Sequence, residues 1–372
     1  MAEDQKIEKY SITNSLWSFR FSWSQYSYEM LRQIEKAIMK YLKLPYRGFY
    51  VDIGNVIDEG DKLWTLAVNE NGADNKKVPL VLLHGLGAGS ALWIMNYDDI
   101  AKDRPVYAID LPGFGRSSRS NFDKDGEVAE MQFIRSIEEW RKEVNLQKFV
   151  LLGHSFGAYL ACSYTLTYPS RVHHLILADA WGFPEKPADV NQKYNVPLWV
   201  KGIAYLVQPL NPLWAIRAAG PLGQKLVEKT RPDIMRKFSS VIKDESLIPS
   251  YLYQCNSQSP TGESAFHSMM QSFGWAKNPM IKRIHEIRKD VPITVIYGSR
   301  SWVDSASGKI IQQLRPGSYV KSYIINQAGH HVYADKAEEF NSIVVKTCNL
   351  TEEEIQKQIL EDNEKEENSD DN

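Results

Sequence analysis

The amino-acid sequence predicts an α/β fold built on a mostly parallel sheet, and two observations support that prediction. From about residue 79 onward, apolar segments of strand length alternate with segments of helical spacing. This is the pattern of parallel strands joined by helices that lie on both faces of the sheet. One apolar segment, residues 149–152, runs directly into Gly-His-Ser-Phe-Gly at residues 153–157 and then into a helix-forming stretch.

The predicted elements follow one another as such a sheet requires. A helix is expected over residues 27–43, because apolar side chains recur at helical spacing until Pro45 ends the pattern. Eight strands are expected at about residues 48–53, 62–69, 79–83, 105–109, 148–152, 172–178, 291–297 and 319–325. From the third strand onward, helices are expected near residues 127–145, 156–167, 305–314 and 335–347.

The alternation stops between about residues 181 and 285, after the sixth strand. Ten prolines interrupt short helical pieces there that are rich in Trp, Leu and Ile. Ligands of open α/β sheets bind outside the carboxyl ends of the strands, so a helical cap inserted at this point would cover that edge. The apolar residues 198–200 and 203–207 could line a tunnel for an acyl chain or pack within the cap, and the sequence leaves both open.

Charge is unevenly distributed along the chain, although the formal net charge is only -2. Residues 351–372 carry ten acidic and two basic side chains, a net charge of -8, which leaves +6 for residues 1–350. Since this segment has no aromatic residue and repeats Glu, Asp and Asn, we expect a disordered acidic tail. The expected organisation is a first segment at residues 1–28, a domain at residues 29–350 and this tail.

The composition argues against several classes of protein. The three cysteines are far apart and the amino end lacks a signal-peptide pattern, so a reducing, cytosol-facing compartment is expected. No stretch approaches the ~20 apolar residues of a membrane span, so membrane attachment would be peripheral. The balanced charge without a basic stripe argues against nucleic acid as a partner. No Cys/His cluster has the spacing of a metal site, and no cofactor is expected.

Residues 16–28 hold the densest group of aromatic side chains in the chain. In an extended segment four rings would share one face, those of Trp17, Phe19, Phe21 and Trp23. Trp and Tyr favour the boundary between membrane and water, and this segment is too short and too polar to cross a bilayer. A lipid-surface anchor is therefore one interpretation, and packing of the rings on the folded domain is the other.

Ser155 is the first candidate for a nucleophile. A strand that ends in Gly-x-Ser-x-Gly and continues as a helix places the serine on a sharp, strained turn, the nucleophile elbow. That turn needs neighbours without bulk two residues before and two residues after the serine. Gly153 and Gly157 meet this need.

A nucleophilic serine also needs a base and an acid that orients the base. His330 lies in the loop after the last predicted strand and is the expected base. Asp304 follows the strand at residues 291–297 and keeps the order serine, acid, histidine, so it is the preferred acid. Asp179, at the end of the strand before the cap, is the competing acid.

Backbone N–H groups must stabilise the negative charge that develops on the substrate oxygen. The loop after the third strand begins His84-Gly85, and the N–H of Leu86 is expected to act there with that of Phe156. Gly85 would let the main chain approach the substrate. The loop at residues 110–117 is expected to close one side of the pocket.

Together these motifs resemble one subfamily of α/β-hydrolase-domain proteins. The matching stretches are His84-Gly85, residues 110–117, residues 153–157, residues 181–184 and residues 330–335. The resemblance covers roughly residues 15–350 and implies an α/β-hydrolase fold. One branch of the subfamily contains the lipid-droplet co-activator of triglyceride lipase, and the other contains the lyso-N-acyl-phosphatidylethanolamine lipase.

The chain combines features of the two branches. Ser155 resembles the lipase branch, since the vertebrate co-activator branch carries asparagine at that position. Arg300, two residues before Trp302, resembles the co-activator branch, and so does the aromatic segment near Trp17. The resemblance therefore implies an anchor on lipid droplets and a triglyceride lipase partner that binds a surface including Arg300 and Gly329.

The subfamily is also described by an acyltransferase signature, His-x-x-x-x-Asp, which His330 and Asp335 satisfy. An aspartate at that spacing is common by chance, and His330 already serves as the expected base. Acyl transfer is nevertheless open to this chemistry, because an acyl-Ser155 intermediate can pass its acyl group to a lysophospholipid hydroxyl instead of water.

Two hypotheses follow from the sequence. The first is an enzyme of lipid metabolism that hydrolyses lysophospholipid or acylglycerol esters, or transfers their acyl group, at the surface of cytoplasmic lipid droplets. The second is a non-catalytic adaptor that recruits a triglyceride lipase to droplets. The surfaces of mitochondria and of the endoplasmic reticulum are alternative locations.

Overall fold

The computed structural model describes residues 26–72, 77–187, 213–271 and 274–370, with side chains as far as residue 361. Two sets of sequence predictions lie outside these described residues. One is the aromatic segment with Trp17, Phe19, Phe21 and Trp23, and the other is the pair of apolar cap stretches at residues 198–200 and 203–207.

An eight-stranded sheet forms the centre of the fold, and a two-stranded sheet lies beside it. The strands are β1 (Tyr46–Gly54), β2 (Asp61–Val68), β3 (Leu80–Leu83), β4 (Val106–Ile109), β5 (Phe149–His154), β6 (Val172–Ala178), β7 (Met270–Gln271), β8 (Trp275–Ala276), β9 (Ile293–Gly298) and β10 (Val320–Ile325). Their order across the large sheet is β1-β2-β4-β3-β5-β6-β9-β10. β2 is antiparallel to β1 and to β4, and the other neighbours are parallel. The predicted mostly parallel sheet of eight strands is therefore confirmed.

Helices cover both faces of this sheet, as predicted. They are α1 (Tyr28–Met39), α2 (Tyr97–Ile100), α3 (Gly126–Glu143), α4 (Phe156–Thr167), α5 (Trp214–Ala218), α6 (Gly223–Thr230), α7 (Pro232–Phe238), α8 (Leu247–Asn256), α9 (Thr261–Met269), α10 (Ala306–Leu314), α11 (Val332–Asp335) and α12 (Ala337–Asp370). Alternate residues of β3 face opposite cores: Val81 packs with α3 and α4, whereas Leu82 packs with α1 and α12. The central strands are thus apolar on both sides because both sides are covered.

The chain between β6 and β9 forms a helical cap, of which the structure describes α5 to α9. The cap lies over the carboxyl ends of the strands, since it contacts the loops that follow β3 and β4. Asn256 Nδ2 of α8 donates to the Gly87 carbonyl at 2.7 Å. A Cβ added at Gly113 would lie 2.3 Å from the Gly262 nitrogen of α9. Because the cap contacts these loops, it covers the edge of the sheet where ligands of such folds bind.

The expectation of a disordered tail at residues 351–372 is wrong for the part that the structure describes, because α12 continues through it. The first turn of this continuation is held by the body. Thr351 Oγ1 lies 3.0 Å from His174 Nδ1, and Glu352 forms an ion pair with Arg104 at 3.4 Å. Glu, Gln and Lys are also good helix formers. The acidic composition therefore extends a helix that the domain has already nucleated.

Within residues 26–72, 77–187, 213–271 and 274–370, no helix combines the length and the apolar character that crossing a bilayer requires.

Candidate active site

Ser155 lies at the junction of β5 and α4, and its backbone has φ 53° and ψ -116°. This conformation is unusual for a residue with a side chain. The glycines on either side allow the turn. A Cβ at Gly153 would lie 2.3 Å from the Gly157 carbonyl oxygen, and one at Gly157 would lie 2.4 Å from the Leu83 oxygen. A side chain at position 153 would therefore push β5 away from the start of α4, and one at position 157 would push α4 away from β3.

His330 and Asp179 form a continuous chain of hydrogen bonds with the serine. His330 Nε2 lies 3.0 Å from Ser155 Oγ, and His330 Nδ1 lies 2.5 Å from Asp179 Oδ2. The Asp179 side chain is fully buried, whereas the His330 side chain is 16% exposed. The imidazole therefore bridges a hydroxyl that faces the pocket and a carboxylate that solvent does not reach.

The structure corrects the preferred acid, because Asp304 does not contact His330. Asp304 is exposed, and its Oδ1 accepts the Ala306 N–H at 2.9 Å at the start of α10. A short polar side chain at a helix start commonly has this capping role. The competing acid, Asp179, takes the place beside the imidazole.

The pairing of β5 with β6 explains why Asp179 reaches the imidazole. His154 is opposite Ala178, so the next residues along the two strands are Ser155 and Asp179. The Ser155 N–H donates to the Ala178 carbonyl at 3.0 Å. Adjacency of the strand before the cap to the elbow strand was the signal that could have selected Asp179 from sequence.

Other groups fix the Asp179 carboxylate in place. Its Oδ1 accepts the Gly298 N–H at 3.1 Å, and its Oδ2 accepts the Ser301 hydroxyl. The Asp179 backbone also has a positive φ, 45°. The turn after β9, which was expected to supply the acid, thus supplies hydrogen bonds to the acid instead.

The loop after β3 brings Leu86 to the elbow. A Cβ added at Gly85 would lie 3.1 Å from Ser155 Cβ, so the main chain passes against the serine. The Leu111 N–H donates to His84 Nε2 at 3.0 Å, which leaves the ring proton on His84 Nδ1 to donate to the Gly85 carbonyl at 2.8 Å. Because this peptide is trans, the Leu86 N–H points away from His84.

The second expected oxyanion donor is the N–H of Phe156. It is the first N–H of α4, and such groups have no acceptor within their own helix. The helix dipole adds partial positive charge at the same place. Leu86 thus follows the glycine that passes against Ser155, and Phe156 follows Ser155 directly, so both expected donors belong to segments that adjoin the serine.

The loop at residues 110–117 lies beside this site and is held by Asp110. Asp110 accepts the Ser90 N–H at 2.7 Å and the Arg116 N–H at 2.8 Å. Burial lowers the pKa of His84, so its imidazole stays neutral as the tautomer deduced above. The loops after β3 and β4 are thereby joined through one neutral histidine.

His154, inside the Gly-x-Ser-x-Gly motif, has a role that the sequence did not reveal. Its Nε2 lies 2.9 Å from the His330 carbonyl oxygen, which can only accept, so the imidazole donates. Burial, together with the nearby His330, lowers the pKa of His154 well below its ordinary value. A neutral His154 therefore holds the backbone of the residue that carries the base.

Both carboxylate oxygens of Asp335, the aspartate of the His-x-x-x-x-Asp signature, have partners other than Ser155. Its Oδ2 accepts the Gly329 N–H at 2.9 Å, and its Oδ1 pairs with Lys237 of α7 at 3.1 Å. The signature therefore joins the loop of His330 to the cap.

The two expected partner-binding residues lie on one rim of the site. The Arg300 N–H donates to the Ala328 carbonyl at 2.8 Å, directly before Gly329, and the Arg300 side chain is exposed. Trp302 beside them is 68% exposed, and its ring centre lies 4.8 Å from that of His330. This rim therefore presents a cation and an indole next to the base.

Among the residues with described positions, no group of three or more His, Cys, Asp or Glu side chains could hold a metal ion. The arrangement that is present suits nucleophilic acyl chemistry. A hydroxyl lies within hydrogen-bond distance of an imidazole, and the imidazole lies within hydrogen-bond distance of a buried carboxylate.

Comparisons with known proteins place these observations in a family context. Residues 78–337 match the profile described as alpha/beta hydrolase fold. The Mus musculus protein named 1-acylglycerol-3-phosphate O-acyltransferase ABHD5 is 48% identical over 322 residues, which cover 87% of this chain and 90% of that protein. The Homo sapiens (lyso)-N-acylphosphatidylethanolamine lipase is 46% identical over 322 residues, which cover 87% of this chain and 92% of the lipase.

A solved structure extends the similarity of fold. The naproxen esterase (carboxylesterase NP) from Bacillus subtilis matches with a TM-score of 0.59 and 15% identity, covering 86% of this chain and 97% of the esterase.

Proposed function

Because the chain belongs to the α/β-hydrolase fold family, we propose that it is a serine hydrolase of lipid metabolism that cleaves lysophospholipid or acylglycerol esters through an acyl-Ser155 intermediate. The observation that carries this proposal is the hydrogen-bonded chain from Ser155 through His330 to Asp179. The relatives named an acyltransferase and a lipase, which cover most of this chain, support acyl esters of lipids as the substrate class.

In the first half of the reaction Ser155 Oγ attacks the ester carbonyl carbon while His330 Nε2 takes the hydroxyl proton. The N–H groups of Leu86 and Phe156 stabilise the resulting oxyanion. The ester bond to the alcohol then breaks, and His330 returns the proton to the leaving oxygen. Asp179 accepts the Nδ1–H throughout and so fixes the tautomer that performs both transfers.

In the second half another hydroxyl attacks the acyl-serine, and His330 again accepts and returns a proton. Water gives a free fatty acid. The hydroxyl of a lysophospholipid gives a new ester and makes the reaction an acyl transfer. The same residues serve both outcomes, so the acceptor that reaches the acyl-enzyme decides between hydrolysis and transfer.

Labelling of the serine tests the hydrolase directly. An active-site fluorophosphonate should modify the full-length protein at Ser155, as mass spectrometry of its peptides would show. Ser155→Ala should remove the label and lower lysophospholipid turnover by ~10⁴-fold or more. Ser239→Ala, at an exposed serine of the cap, is the matched control and should leave both unchanged. Unlabelled wild-type protein, or full turnover by Ser155→Ala, would contradict the proposal.

A second candidate function is that of an adaptor for a triglyceride lipase. The observation that favours it is the rim where Arg300 and Gly329 lie together beside the exposed Trp302. A partner that bound this rim would contact the loop of His330, so recruitment and catalysis would use neighbouring surfaces.

Droplet turnover by a triglyceride lipase separates the two functions. An adaptor should tolerate Ser155→Ala and lose stimulation with Arg300→Ala. Arg288→Ala, at another exposed arginine, serves as the control. Stimulation that disappears with Ser155→Ala and survives Arg300→Ala would contradict the adaptor.

We further propose a peripheral location on lipid droplets, through the aromatic segment that contains Trp17 and Trp23. Trp17→Ala/Trp23→Ala protein should float less with phospholipid-coated oil droplets than wild-type protein. The Tyr10→Ala variant, upstream of the alternating rings, is the control. Equal flotation of all three proteins would contradict the anchor.

A further inference from the structure

Trp302 is an aromatic side chain beside the base that the reaction proposed above does not use. It is 68% exposed, the largest exposed fraction among the large apolar side chains of the described residues. Its indole nevertheless contacts His330. The two ring centres lie 4.8 Å apart, and the ring planes are inclined by 42°. Because so little of this side chain is buried, its contribution to the hydrophobic core is small.

The turn after β9 fixes the position of Trp302. On one side of it, the Ser301 hydroxyl donates to the Asp179 carboxylate and accepts the Val303 N–H at 3.1 Å. On the other side, Val303 is buried. The backbone of Trp302 therefore cannot leave His330 without breaking contacts that also hold the acid.

The other rings beside the imidazole of His330 carry no charge near pH 7. The ring centres of His154 and His331 lie 4.9 Å and 5.5 Å from that of His330. Burial, together with the nearby His330, lowers the pKa of His154 well below its ordinary value. Burial, followed by the nearby Lys237, lowers the pKa of His331 to about 3. These two imidazoles are therefore neutral and cannot repel or attract a charge as an ion would.

Few groups are left that can respond to a positive charge on His330. The Asp179 carboxylate binds Nδ1, and the Ser155 hydroxyl lies at Nε2. The turn after β9, α11 and α7 also carry charged side chains, which are those of Arg300, Asp304, Asp335 and Lys237. All of these groups stay in place when residue 302 alone is changed. Substitution of Trp302 therefore isolates the effect of the indole.

An indole face distinguishes a charged imidazole from a neutral one. Its π electrons attract a cation that lies within ~6 Å of the ring centre, and Trp attracts cations more strongly than Phe or Tyr does. In the proposed reaction His330 is neutral before the attack and positively charged once it holds the serine proton. An interaction that strengthens during the step accelerates it.

We propose that Trp302 stabilises the imidazolium that His330 becomes when it accepts the proton of Ser155. His330 Nε2 takes this proton from Ser155 Oγ and later gives it to the leaving oxygen, and Trp302 exchanges no proton or electron in either step. The indole thus acts through His330 and makes it a stronger base. This role rests on the hydrolase proposed above.

Three substitutions at residue 302 separate attraction of charge from simple cover. Trp302→Phe keeps an aromatic face, Trp302→Leu keeps an apolar cover without one, and Trp302→Ala removes both. In the plateau above the acid limb of the pH profile, Trp302→Leu should lower the rate of fluorophosphonate labelling about threefold, the size of a cation–π contact at an exposed site. Trp302→Phe should fall between wild-type protein and Trp302→Leu, and Trp302→Ala should be no faster than Trp302→Leu.

The pH profile gives a readout that a purely structural role would not change. In the acid limb His330 is already protonated before the attack, so the indole stabilises the starting state and the transition state alike. The rates of wild-type protein and Trp302→Leu should therefore converge as the pH falls, whereas a displaced base would be slower at every pH. Trp214→Leu, at an exposed indole of α5, is the matched control and should leave the profile unchanged.

NMR of full-length Ser155→Ala protein labelled at its histidines tests the contact without turnover. The signal of His330, identified by its loss in the His330→Gln variant of the same protein, changes as the ring gains a proton. After Trp302→Leu this change should reach its half-way point at a pH about 0.5 unit lower. Thermal midpoints of the variants should match, since most of the indole is exposed.

Equal plateau rates for wild-type protein and Trp302→Leu would overturn the role of Trp302, and so would a loss that persists through the acid limb. An unchanged half-way point in the NMR titration would overturn it as well. The two proposals remain distinguishable. Labelled Ser155 with no effect of residue 302 contradicts this role alone, whereas a shifted NMR titration in a protein that the fluorophosphonate does not label contradicts the hydrolase alone.

Discussion

The two sides of the active site are held together by different forces. On the side of the sheet, buried groups joined by short hydrogen bonds fix the base and the oxyanion loop, through Asp179, His84 and His154. On the side of the cap, ion pairs connect Arg231 and Lys237 to carboxylates, and their side chains are 43% and 15% exposed.

This difference separates two requirements of an enzyme. Buried hydrogen bonds are little affected by salt and tolerate almost no displacement, which suits groups that must meet a reacting atom. Partly exposed ion pairs are weak and are screened by ions, so they hold the cap less firmly than the sheet holds its groups. The groups proposed for the chemistry thus rest on the sheet, and the cap adds the ion pairs of Arg231 and Lys237.

The largest effect is expected from substitution of the buried carboxylate on the side of the sheet. Asp179→Asn should lower kcat by ~10⁴-fold, because an amide at this place favours the wrong tautomer of His330. Asp304→Asn should change kcat less than twofold, since Asp304 only caps α10. Steady-state hydrolysis of a soluble ester would measure both.

If the order of effects were reversed, the acid would be Asp304 and the observed geometry would not be the working one. Matching thermal midpoints of the two variants would show that neither result comes from unfolding.

A smaller effect should follow from removal of the neutral imidazole of His154, which binds the backbone carbonyl of His330. His154→Phe leaves the His330 carbonyl without its donor and should lower kcat ~30-fold, within the range for a buried hydrogen bond that is lost. His154→Gln, whose amide can still donate, should recover part of the loss. The rate of fluorophosphonate labelling would report the reactivity of Ser155. Steady-state hydrolysis of an ester would give kcat and should show KM nearly unchanged.

The role assigned to His154 would be wrong if Phe and Gln lowered the labelling rate equally. It would also be wrong if the loss appeared in KM rather than in kcat.

Asp335 connects the two sides of the active site, because it binds both the loop of His330 and Lys237 of the cap. Asp335→Ala leaves the Gly329 N–H without its acceptor and Lys237 with Asp233 alone, and it should lower kcat about tenfold. Asp335→Asn keeps an acceptor and should lower kcat about threefold. Hydrolysis and acyl transfer should fall in parallel, because the residue acts through the position of His330. The ratio of free fatty acid to transferred acyl product is the measurement.

Loss of transfer with hydrolysis intact would instead support a direct catalytic role of Asp335 in acyl transfer. Lys336→Ala, at the exposed neighbour of Asp335, provides the control.

The smallest expected effect is on how the free energy of unfolding depends on pH. His174 of β6, a buried histidine, contributes to that dependence. Burial lowers the pKa of His174 to about 3, from an ordinary value of 6.5. Below pH 6.5 the unfolded chain therefore binds a proton that the folded chain refuses, and the stability from this group is lost as the pH falls. The slope is about 1.4 kcal/mol per pH unit. His174→Gln should remove that part of the slope.

Denaturant unfolding between pH 7 and 5 would measure the change. His285→Gln, at an exposed histidine, should leave the slope as it is. An unchanged slope for His174→Gln would show that the buried imidazole is protonated in the fold.

Patterns within short stretches of sequence predicted those parts of the structure that depend mainly on residues close together in the chain. The strands, the helices and the strained serine at Ser155 are all encoded within a few residues of where they form. His330 could be found as well, because it follows the last strand. Asp179 against Asp304 could not be decided in this way, since both follow strands that end at the same edge.

Contacts over long distances were the part that sequence reasoning missed. The donation from His154 to the His330 carbonyl joins residues 176 positions apart. Asp335 pairs with Lys237 of the cap, and nothing near Asp335 indicates this. The prediction of a disordered tail was wrong for the same reason, because the first turn of residues 351–361 is held by Arg104 and His174 of the domain.

The positive φ of both Ser155 and Asp179 has a consequence for how such a protein can change. Each of these backbones costs about 1–3 kcal/mol, which the rest of the fold must offset. Glycine would adopt the elbow conformation without that cost, so the most reactive position is also a weak point of the scaffold. A descendant that no longer needed catalysis could replace Ser155 with glycine and gain stability without any change at its outer surface.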